Sequence, residues 1–371
     1  MSDFNVSHES PLPLHLQLLY ELRHKIKNGL LKPHDRLPGE WELVGRLNIS
    51  RATIQRAWRA AQDEGLLYRV SGKGTFVAAP AVMTASRTVG FFIPEYRGTF
   101  AVNMLNGAER VLRAAGFRVQ FASTDRDVDE ENRLLRLLMH DGASGCILVL
   151  SRGTTAARIL TSSDFKLPVV LMDRPLNGVV LPCVTSNNYE GAWQAMEHLI
   201  DLGHRRIIFL ARPHLDLWPV AERYRAYQDA MRRINAEPQP PFLIGGGTEI
   251  SSYEAYLQQD DTEIQPLIAL LRSAECPTAI FAVNDWMAMK AQRAILLAGL
   301  RTPKDVSLIG FDDLDIAQYQ TPPLTTIAQN PASIGAEAAR RLLTLIEGEQ
   351  PASILTLVPT RLVVRGSTAP P

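Results

Sequence analysis

Long apolar runs and paired cysteines are both missing from this 371-residue sequence. No apolar run approaches the roughly 18 residues that a membrane-spanning helix needs, so we expect no membrane partner. The three cysteines lie far apart in the sequence, which indicates neither a disulfide framework nor a metal site. The first residues also lack the basic and then apolar pattern of a secretory signal. These absences predict a cytoplasmic protein.

Patterns of catalytic and metal-binding residues are missing as well. The eight histidines show no metal-ligand spacing. No serine–histidine–aspartate or cysteine–histidine set appears in an arrangement that would support nucleophilic catalysis. We therefore expect no cofactor and no enzymatic activity.

The charge is zero overall but unevenly distributed. Between Tyr20 and Val77 there are eleven Lys and Arg residues against six Asp and Glu, whereas from Ala81 onward there are 28 against 31. A basic end joined to a larger, nearly neutral body is typical of a nucleic-acid-binding module attached to a domain that has another partner. The length is sufficient for two or three domains.

The segment from Leu37 to Val77 has the pattern of a short helix, a turn, a longer helix and a hairpin. In the longer helix, apolar residues recur at the spacing of one helix face: Ile54, Ala57, Trp58 and Ala61. Ser50 stands where an N-cap belongs, because its hydroxyl can accept an unpaired amide hydrogen of the first turn. This pattern predicts a helix-turn-helix followed by a β-hairpin.

Charged and amide side chains occupy the opposite face of the longer helix: Arg51, Gln55 and Arg59, with Arg56 beside them. With almost no carboxylate among them, they suit a groove lined by phosphates and base edges. An ordinary solvated helix face is the alternative interpretation. The preceding helix and the glycine-turn hairpin with a basic tip at Gly72 and Lys73 favour a winged helix-turn-helix, which we assign to residues 1–78.

Several separated motifs stand in this region: Leu37-Pro38, Glu40, Ser50-Arg51-Ala52-Thr53-Ile54, Glu64-Gly65-Leu66 and Gly72-Lys73-Gly74-Thr75-Phe76-Val77. Together they resemble the DNA-binding domain of the GntR family from about Leu14 to Val77. The resemblance implies that Arg51 and Thr53, at the start of the recognition helix, and Gly72, at the wing tip, contact DNA.

The sequence departs from the GntR pattern at two positions. The family usually has Arg where Gln55 stands, and glutamine pairs with adenine whereas arginine prefers guanine, so a different operator is expected. Some members use Arg at the position of Trp41 to reach DNA, but here we expect a partly buried packing residue. Arg56, Arg59 and Lys73 are expected to contact phosphates.

From Thr88 the pattern changes to apolar strand-like runs that alternate with helical stretches. Residues 79–87, which are mostly small, are predicted to be a linker. Strands that are apolar throughout, each followed by a helix, predict an α/β fold with parallel sheets covered on both faces. The remaining residues exceed the usual size of a single core, so two lobes are expected.

A second set of motifs lies in this larger part: Val119–Phe121, His198–Ile207, Pro277–Asp285, Ile309–Asp313, Thr321–Ile327 and Leu362–Thr368. They resemble the effector domain of LacI-type repressors, which is similar to periplasmic sugar-binding proteins. Over residues 88–371 the resemblance implies two Rossmann-like lobes, three crossovers between them and a ligand in the cleft.

Ligands of open α/β sheets lie beyond the carboxyl ends of the strands. Five polar residues follow predicted strands at such ends: Asp173, Arg174, Asn284, Asp312 and Gln329. The resemblance implies that these residues contact a ligand. It also implies that Arg225, at the start of a helix, contacts the ligand and that Phe100 covers an apolar face of the sugar. Trp286 is a second candidate for stacking on the ligand.

Structural roles are the alternative for several of these side chains. Asp285 and Asp313 are interpreted as helix N-caps. Arg174 and Arg225 would otherwise form ion pairs across the two lobes.

The sequence as a whole predicts a transcription regulator that binds operator DNA as a homodimer. A small effector, most simply a sugar that releases the repressor, would bind between the lobes. Corepression by a purine-like ligand uses the same architecture. A transport-type sugar-binding protein would share the cleft but not the basic head, and an enzyme would need acid–base pairs that are not evident.

Overall fold

The computed structural model describes residues 4–7, 12–63, 65–78, 86–95, 98–151, 159–162, 165–176, 178–245 and 261–371. The chain divides into two compact units, Met1–Ser86 and Arg87–Pro371. Most of the predicted linker, residues 79–85, lies outside the described residues. Its last two residues, Ser86 and Arg87, already belong to the first strand of the larger sheet structure.

The smaller unit is a winged helix-turn-helix. Its elements are α1 (Leu14–Lys27), α2 (Glu40–Leu47), α3 (Arg51–Asp63), β1 (Leu67–Val70) and β2 (Gly74–Val77). The two strands pair antiparallel, and Arg36 adds one further bridge to Phe76. The predicted apolar face of α3 is buried in the core of this unit. Ser50 caps α3, because its Oγ accepts the Thr53 N–H at 3.1 Å.

The wing turn depends on a glycine. Gly72 has a φ of 70°, in the left-handed region where a side chain is strained. The Lys73 N–H donates to the Val70 carbonyl at 3.0 Å and closes the turn. This turn places Gly72 and Lys73 at the tip of the wing.

The larger unit alternates strands and helices as predicted. In chain order its elements are β3 (Ser86–Ile93), α4 (Thr99–Ala114), β4 (Arg118–Ser123), α5 (Val128–His140), β5 (Ala143–Leu148), β6 (Val169–Met172), β7 (Cys183–Ser186), α6 (Asn188–Asp201), β8 (Ile207–Ala211), α7 (Trp218–Arg233), β9 (Phe242–Leu243), α8 (Gln265–Leu271), β10 (Ala279–Ala282), α9 (Asp285–Ala298), β11 (Ser307–Asp312), β12 (Thr325–Ala328), α10 (Pro331–Ile346), β13 (Leu355–Val358) and β14 (Arg361–Val363).

These strands form two sheets, one in each lobe. The first has the order β13-β7-β6-β5-β3-β4, and the second has the order β14-β12-β11-β10-β8-β9. In the second sheet β14 pairs antiparallel with β12, and the other pairings are parallel. The chain passes between the lobes at residues 186–188, 328–331 and 358–361. The predicted two-lobed α/β fold with three crossovers is confirmed.

Two glycines bring helices α4 and α10 of the first lobe into backbone contact. A methyl group on Gly335 would overlap the Met104 carbonyl, and one on Gly107 would overlap the Ala332 carbonyl. Both glycines are buried within helices. The close approach positions α4, whose first turn carries Phe100. In the part of the chain that the structure describes, no helix is long and apolar enough to cross a membrane.

Candidate functional site

The predicted DNA-contacting residues lie on one helix face and at the wing tip. On α3 the side chains of Arg51, Gln55, Arg56 and Arg59 are exposed, and Thr53 is half-buried. Gly72 and Lys73 are exposed in the turn between β1 and β2. The structure thus supplies the surface that the sequence predicts, and contact of these residues with DNA stays a prediction.

Glu40 holds two of these side chains in place, which sequence analysis missed. Its carboxylate accepts hydrogen bonds from Arg51 Nε at 2.8 Å and Gln55 Nε2 at 2.9 Å. The hydrogen bond from Arg51 is the main reason that the pKa of Glu40 is lowered. Because Glu40 belongs to the motif matched above and begins α2, its position in the motif was the available signal. It fixes the orientation of Arg51 and Gln55 before any DNA is bound.

Trp41 is not a packing residue, and that prediction is wrong. It is 70% exposed, and the Arg51 guanidinium lies 5.1 Å from the centre of its indole ring. The reason is helix geometry, because α2 buries Leu43, and a residue two positions earlier points to the opposite side. Trp41 therefore extends the exposed surface at the start of the recognition helix.

A cavity of about 190 Å³ lies between the lobes of the larger unit. Its walls come from α4, from the segment after β6, from the start of α7, from the ends of β10 and β11, and from the second crossover: Phe100, Asp173, Arg174, Leu217, Pro219, Val220, Arg223, Asn284, Asp312 and Gln329. The structure brings together six of the seven predicted ligand-contacting residues, and Arg225 is the exception.

Arg223 lines the cavity in place of Arg225, and that placement corrects the prediction. Arg225 is 56% exposed and donates to Glu222 at 2.7 Å, with its guanidinium over the Tyr189 ring. On α7, Arg223 shares the buried face with Ala226 and Tyr227, three and four residues later, whereas Arg225 points outward. That periodicity was the signal that would have selected Arg223.

Arg223 is fixed in a buried network. Its Nε donates to Asn188 Oδ1 at 2.9 Å, and its Nη1 donates to the Val283 carbonyl at 2.6 Å. The guanidinium carbon lies 3.7 Å from the centre of the Phe311 ring. Burial lowers the pKa of Arg223, and the nearby carboxylate of Asp312 opposes this effect. The side chain is therefore held rigidly at the wall of the cavity.

Asp312 is the acidic centre of the cavity. Gln329 Nε2 donates to its Oδ1 at 2.6 Å. Burial raises the pKa of Asp312 to about 6, and the Arg223 charge and the Gln329 hydrogen bond oppose the rise. Asp312 and Asp173 have φ values of 124° and 69°, which non-glycine residues rarely adopt. Strained backbone of this kind concentrates at functional sites, where the fold over-determines the geometry.

Asn284 has two roles. Its Oδ1 accepts the Met287 N–H at 3.0 Å and caps α9, and the residue also lines the cavity. Asp285, which we expected to be the cap, is instead fully buried and accepts from the Leu314 N–H and the Thr326 hydroxyl. The expectation for Asp285 is wrong by one residue.

Asp313 is not a cap either, because it accepts from Arg365 Nη2 at 2.6 Å. Trp286 is half-buried and is not among the residues that line the cavity. Arg174 does not pair across the lobes. Its Nη2 donates to the Leu150 carbonyl at 2.6 Å, and its Nη1 lies 3.9 Å from Asp173 Oδ2, both in the first lobe.

The cavity offers carboxylates, guanidinium groups and amides together with one aromatic ring and three aliphatic side chains. Such a set can donate to and accept from several hydroxyl groups while the apolar residues cover the carbon skeleton. Among the described residues, no group of three or more His, Cys, Asp or Glu side chains is placed to hold a metal ion.

Comparison with known proteins agrees with both units. Residues 14–77 match the model for bacterial regulatory proteins of the gntR family, and residues 196–368 match the periplasmic binding protein-like domain. The arabinose metabolism transcriptional repressor of Geobacillus stearothermophilus is 29% identical over 367 residues, covering 97% of this chain and 99% of that protein.

Two solved structures are similar over most of the chain. The complex of the transcriptional regulator CelR with cellobiose has 26% identity and a TM-score of 0.66, and the match covers 86% of this chain and 91% of that one. The transcription regulator GntR from Chromobacterium violaceum has 31% identity and a TM-score of 0.60, with 76% of this chain and 99% of that chain covered.

The two units define a DNA-binding transcription regulator that carries a ligand-binding domain of the LacI type. The chain belongs to the gntR family of bacterial regulators and combines its winged head with a periplasmic-binding-protein-like domain.

Proposed function

We propose that this protein is a cytoplasmic, non-enzymatic repressor whose affinity for operator DNA is controlled by a small sugar in the interlobe cavity. The observation that carries the proposal is the convergence of six polar side chains and Phe100 on one cavity: Asp173, Arg174, Arg223, Asn284, Asp312 and Gln329. A sugar needs such a set, because each hydroxyl both donates and accepts. The similarity to one repressor named for arabinose metabolism and to a regulator solved with cellobiose supports a sugar.

In this proposal the operator is read in the major groove by Arg51, Thr53 and Gln55. The wing at Gly72 and Lys73 reaches the flanking groove or phosphates. Arg56, Arg59 and Lys73 contact phosphates, and their contribution weakens as salt rises. Glu40 presets Arg51 and Gln55, which lowers the entropy lost when these side chains meet base edges.

The proposed switch uses the crossovers between the lobes. Gln329, in the second crossover, donates to Asp312 and also accepts from the hydroxyl of Ser186 in the first crossover. A sugar that bonds to Asp312 and Gln329 therefore acts on two of the three connections at once. Closure of the lobes would change how two copies associate and how their heads meet a palindromic site, with a coupling of about 1–3 kcal/mol.

The ligand half of the proposal is tested by thermal unfolding of the purified protein with pentoses, hexoses, uronic acids, disaccharides and purines. A sugar at about 100 times its dissociation constant should raise the unfolding free energy by about 2.7 kcal/mol. Stabilisation by purines alone would contradict the sugar and support corepression. Turnover of the bound sugar would contradict a regulator without enzymatic activity.

A further inference from the structure

One peptide group at the end of β5 is held between two charged side chains. Glu131 Oε2, from α5, accepts the Ser151 N–H at 2.7 Å. Arg174 Nη2 donates to the Leu150 carbonyl at 2.6 Å. The Leu150 carbonyl and the Ser151 N–H belong to the same peptide unit. Glu131 and Arg174 therefore bind opposite sides of one peptide, which polarises it and couples their charges.

Glu131 is an acidic residue that is completely buried. It has no exposed surface, and burial raises the pKa of its carboxyl group, while the hydrogen bonds from Ser151 and the charge of Arg174 oppose the rise. Its Oε1 and Arg174 Nε are both buried, with no hydrogen-bond partner among the described residues. A buried carboxylate without full hydrogen bonding is costly. The hydrogen bonds from Ser151 are its main compensation, and the charge of Arg174 adds to them.

The positive charge of Arg174 therefore has a carboxylate on each of two sides. Asp173 Oδ2 lies 3.9 Å from its Nη1, and Glu131 lies across the peptide. Arg223, the other guanidinium in the cavity wall, faces Asp312 with Nη1 3.8 Å from Oδ1. Every guanidinium that lines the cavity thus already has a carboxylate partner. A ligand with a carboxylate or phosphate group would therefore find no unpaired guanidinium in the cavity wall to bind that group.

We propose that the effector is an uncharged polyol, and that Glu131 is a specificity-determining residue that excludes sugar acids and sugar phosphates by neutralising Arg174. The inference rests on the proposed function, because it assumes that the cavity binds the effector. Glu131 does not line the cavity, so it acts through Arg174 and not by contact with the ligand.

The test compares neutral sugars with their acids by titration calorimetry: D-galactose with D-galacturonate, D-glucose with D-glucuronate, and L-arabinose with L-arabinonate. In the pair whose neutral sugar binds most tightly, the dissociation constant of the acid should be at least about 100 times that of the neutral sugar, because binding the acid leaves a buried charge unpaired. Glu131→Gln should narrow this ratio of dissociation constants, acid over neutral sugar, by at least about tenfold. The narrowing should come from tighter acid binding, which simple loss of structure would not produce.

Glu130→Gln is the matched control. Glu130 is the neighbouring residue, but its carboxylate pairs with Arg133 on the outside of α5, so the ratio should not change. If Glu131→Gln does not fold, Asp173→Asn removes the other charge beside Arg174 and should narrow the ratio in the same direction.

Two results would overturn the inference. Acid binding as tight as neutral binding in the wild type is one. An unchanged ratio in Glu131→Gln, or in Asp173→Asn where Glu131→Gln does not fold, is the other. Either result leaves the sugar-responsive function in place. If no neutral or acid sugar binds at all, the proposed function fails and this inference fails with it.

Discussion

Arg223 Nη1 lies 3.8 Å from Asp312 Oδ1, and this pair joins the start of α7 to the end of β11 at the wall of the cavity. Asp312 also accepts from Gln329 in the second crossover, and Arg223 donates to Asn188 in the first. The pair thus connects the wall of the interlobe cavity with two of the segments that join the lobes.

The first prediction separates two arginines that are neighbours in the sequence. Arg223→Gln should weaken effector binding by at least about tenfold, because it removes charged hydrogen bonds of about 1.5–3 kcal/mol. It should also lower the free energy of unfolding by about 3 kcal/mol, since Asp312 loses its buried partner. Calorimetry and thermal unfolding measure the two effects.

Arg225→Gln is the control for that substitution. Its ion pair with Glu222 is exposed, and such pairs contribute about 0–1 kcal/mol. Effector affinity and stability should both stay close to the wild type. Equal losses in the two variants would show that Arg223 has no special place in the cavity.

Asp312→Asn should abolish the response to effector and leave DNA binding near normal. The amide keeps the shape of the carboxyl group but loses its charge and replaces one of its two acceptor oxygens with an NH2 donor, which faces sugar hydroxyls and Arg223 less favourably. Fluorescence anisotropy with a selected operator should give an affinity within about threefold of the wild type, with no change on adding sugar. A response at wild-type sugar concentrations would show that the cavity is misplaced.

The raised pKa of Asp312 predicts a dependence of stability on pH. The folded protein holds this proton up to about pH 6, whereas the unfolded chain releases it near the ordinary value of 3.8. Between these values the folded state binds more protons, so the contribution of Asp312 to the free energy of unfolding falls as pH rises. Above about pH 6 it is constant.

The charged groups around Asp312 are Arg223, Asp173 and the buried Asp285. They remain in Asp312→Asn, so the difference in unfolding free energy between wild type and variant reports the Asp312 carboxyl group together with its electrostatic coupling to Asp285. Relative to the variant, the wild type should lose up to about 1.4 kcal/mol per pH unit between pH 4 and 6. A difference that rises with pH in this window would contradict the assignment.

Arg51→Ala should reduce affinity for the selected operator by about 1–3 kcal/mol, which is roughly 5- to 150-fold. The same variant should be stabilised by sugar as strongly as the wild type, because the substitution lies in the other unit. Arg113→Ala, which removes an exposed arginine from α4, is the matched control. If both variants lose the same affinity, net charge and not base recognition explains the binding.

Gly335→Ala should destabilise the larger unit by about 1–3 kcal/mol, because the added methyl group overlaps the Met104 carbonyl in α4. Gly45→Ala in α2 has free space around it and should be neutral or stabilising by up to about 1 kcal/mol. Thermal unfolding of the two variants measures the difference. Equal effects would show that α4 and α10 tolerate separation.

Much of this architecture follows from the pattern of the sequence. Alternating apolar strands and helices imply parallel sheets, and parallel strands bring their carboxyl ends to one edge. That rule explains why Asp173, Asn284 and Asp312, which are distant in sequence, line one cavity. The apolar face of α3 likewise predicted the core of the winged head.

The errors arise where a side chain depends on a neighbour from another element. Arg223 and Arg225 differ only in helix phase, which the buried residues of α7 fix. Asp285 follows the true cap by one residue, because the helix begins at a position that sequence signals give only to within a few residues. The contact of Glu40 with Arg51 joins two helices, and spacing alone does not show it.

The central claim is that one chain reads DNA with its head and senses a sugar with its cavity. It is tested most directly by selecting a random-sequence DNA pool on the wild type, Arg51→Ala and Asp312→Asn, and then measuring release of the enriched DNA by the stabilising sugar. We predict the same enriched sequence for the wild type and Asp312→Asn, weaker enrichment of it by Arg51→Ala, and release by the sugar from the wild type but not from Asp312→Asn. Sugar-dependent release from Asp312→Asn, or enrichment by none of the three proteins, would contradict the claim.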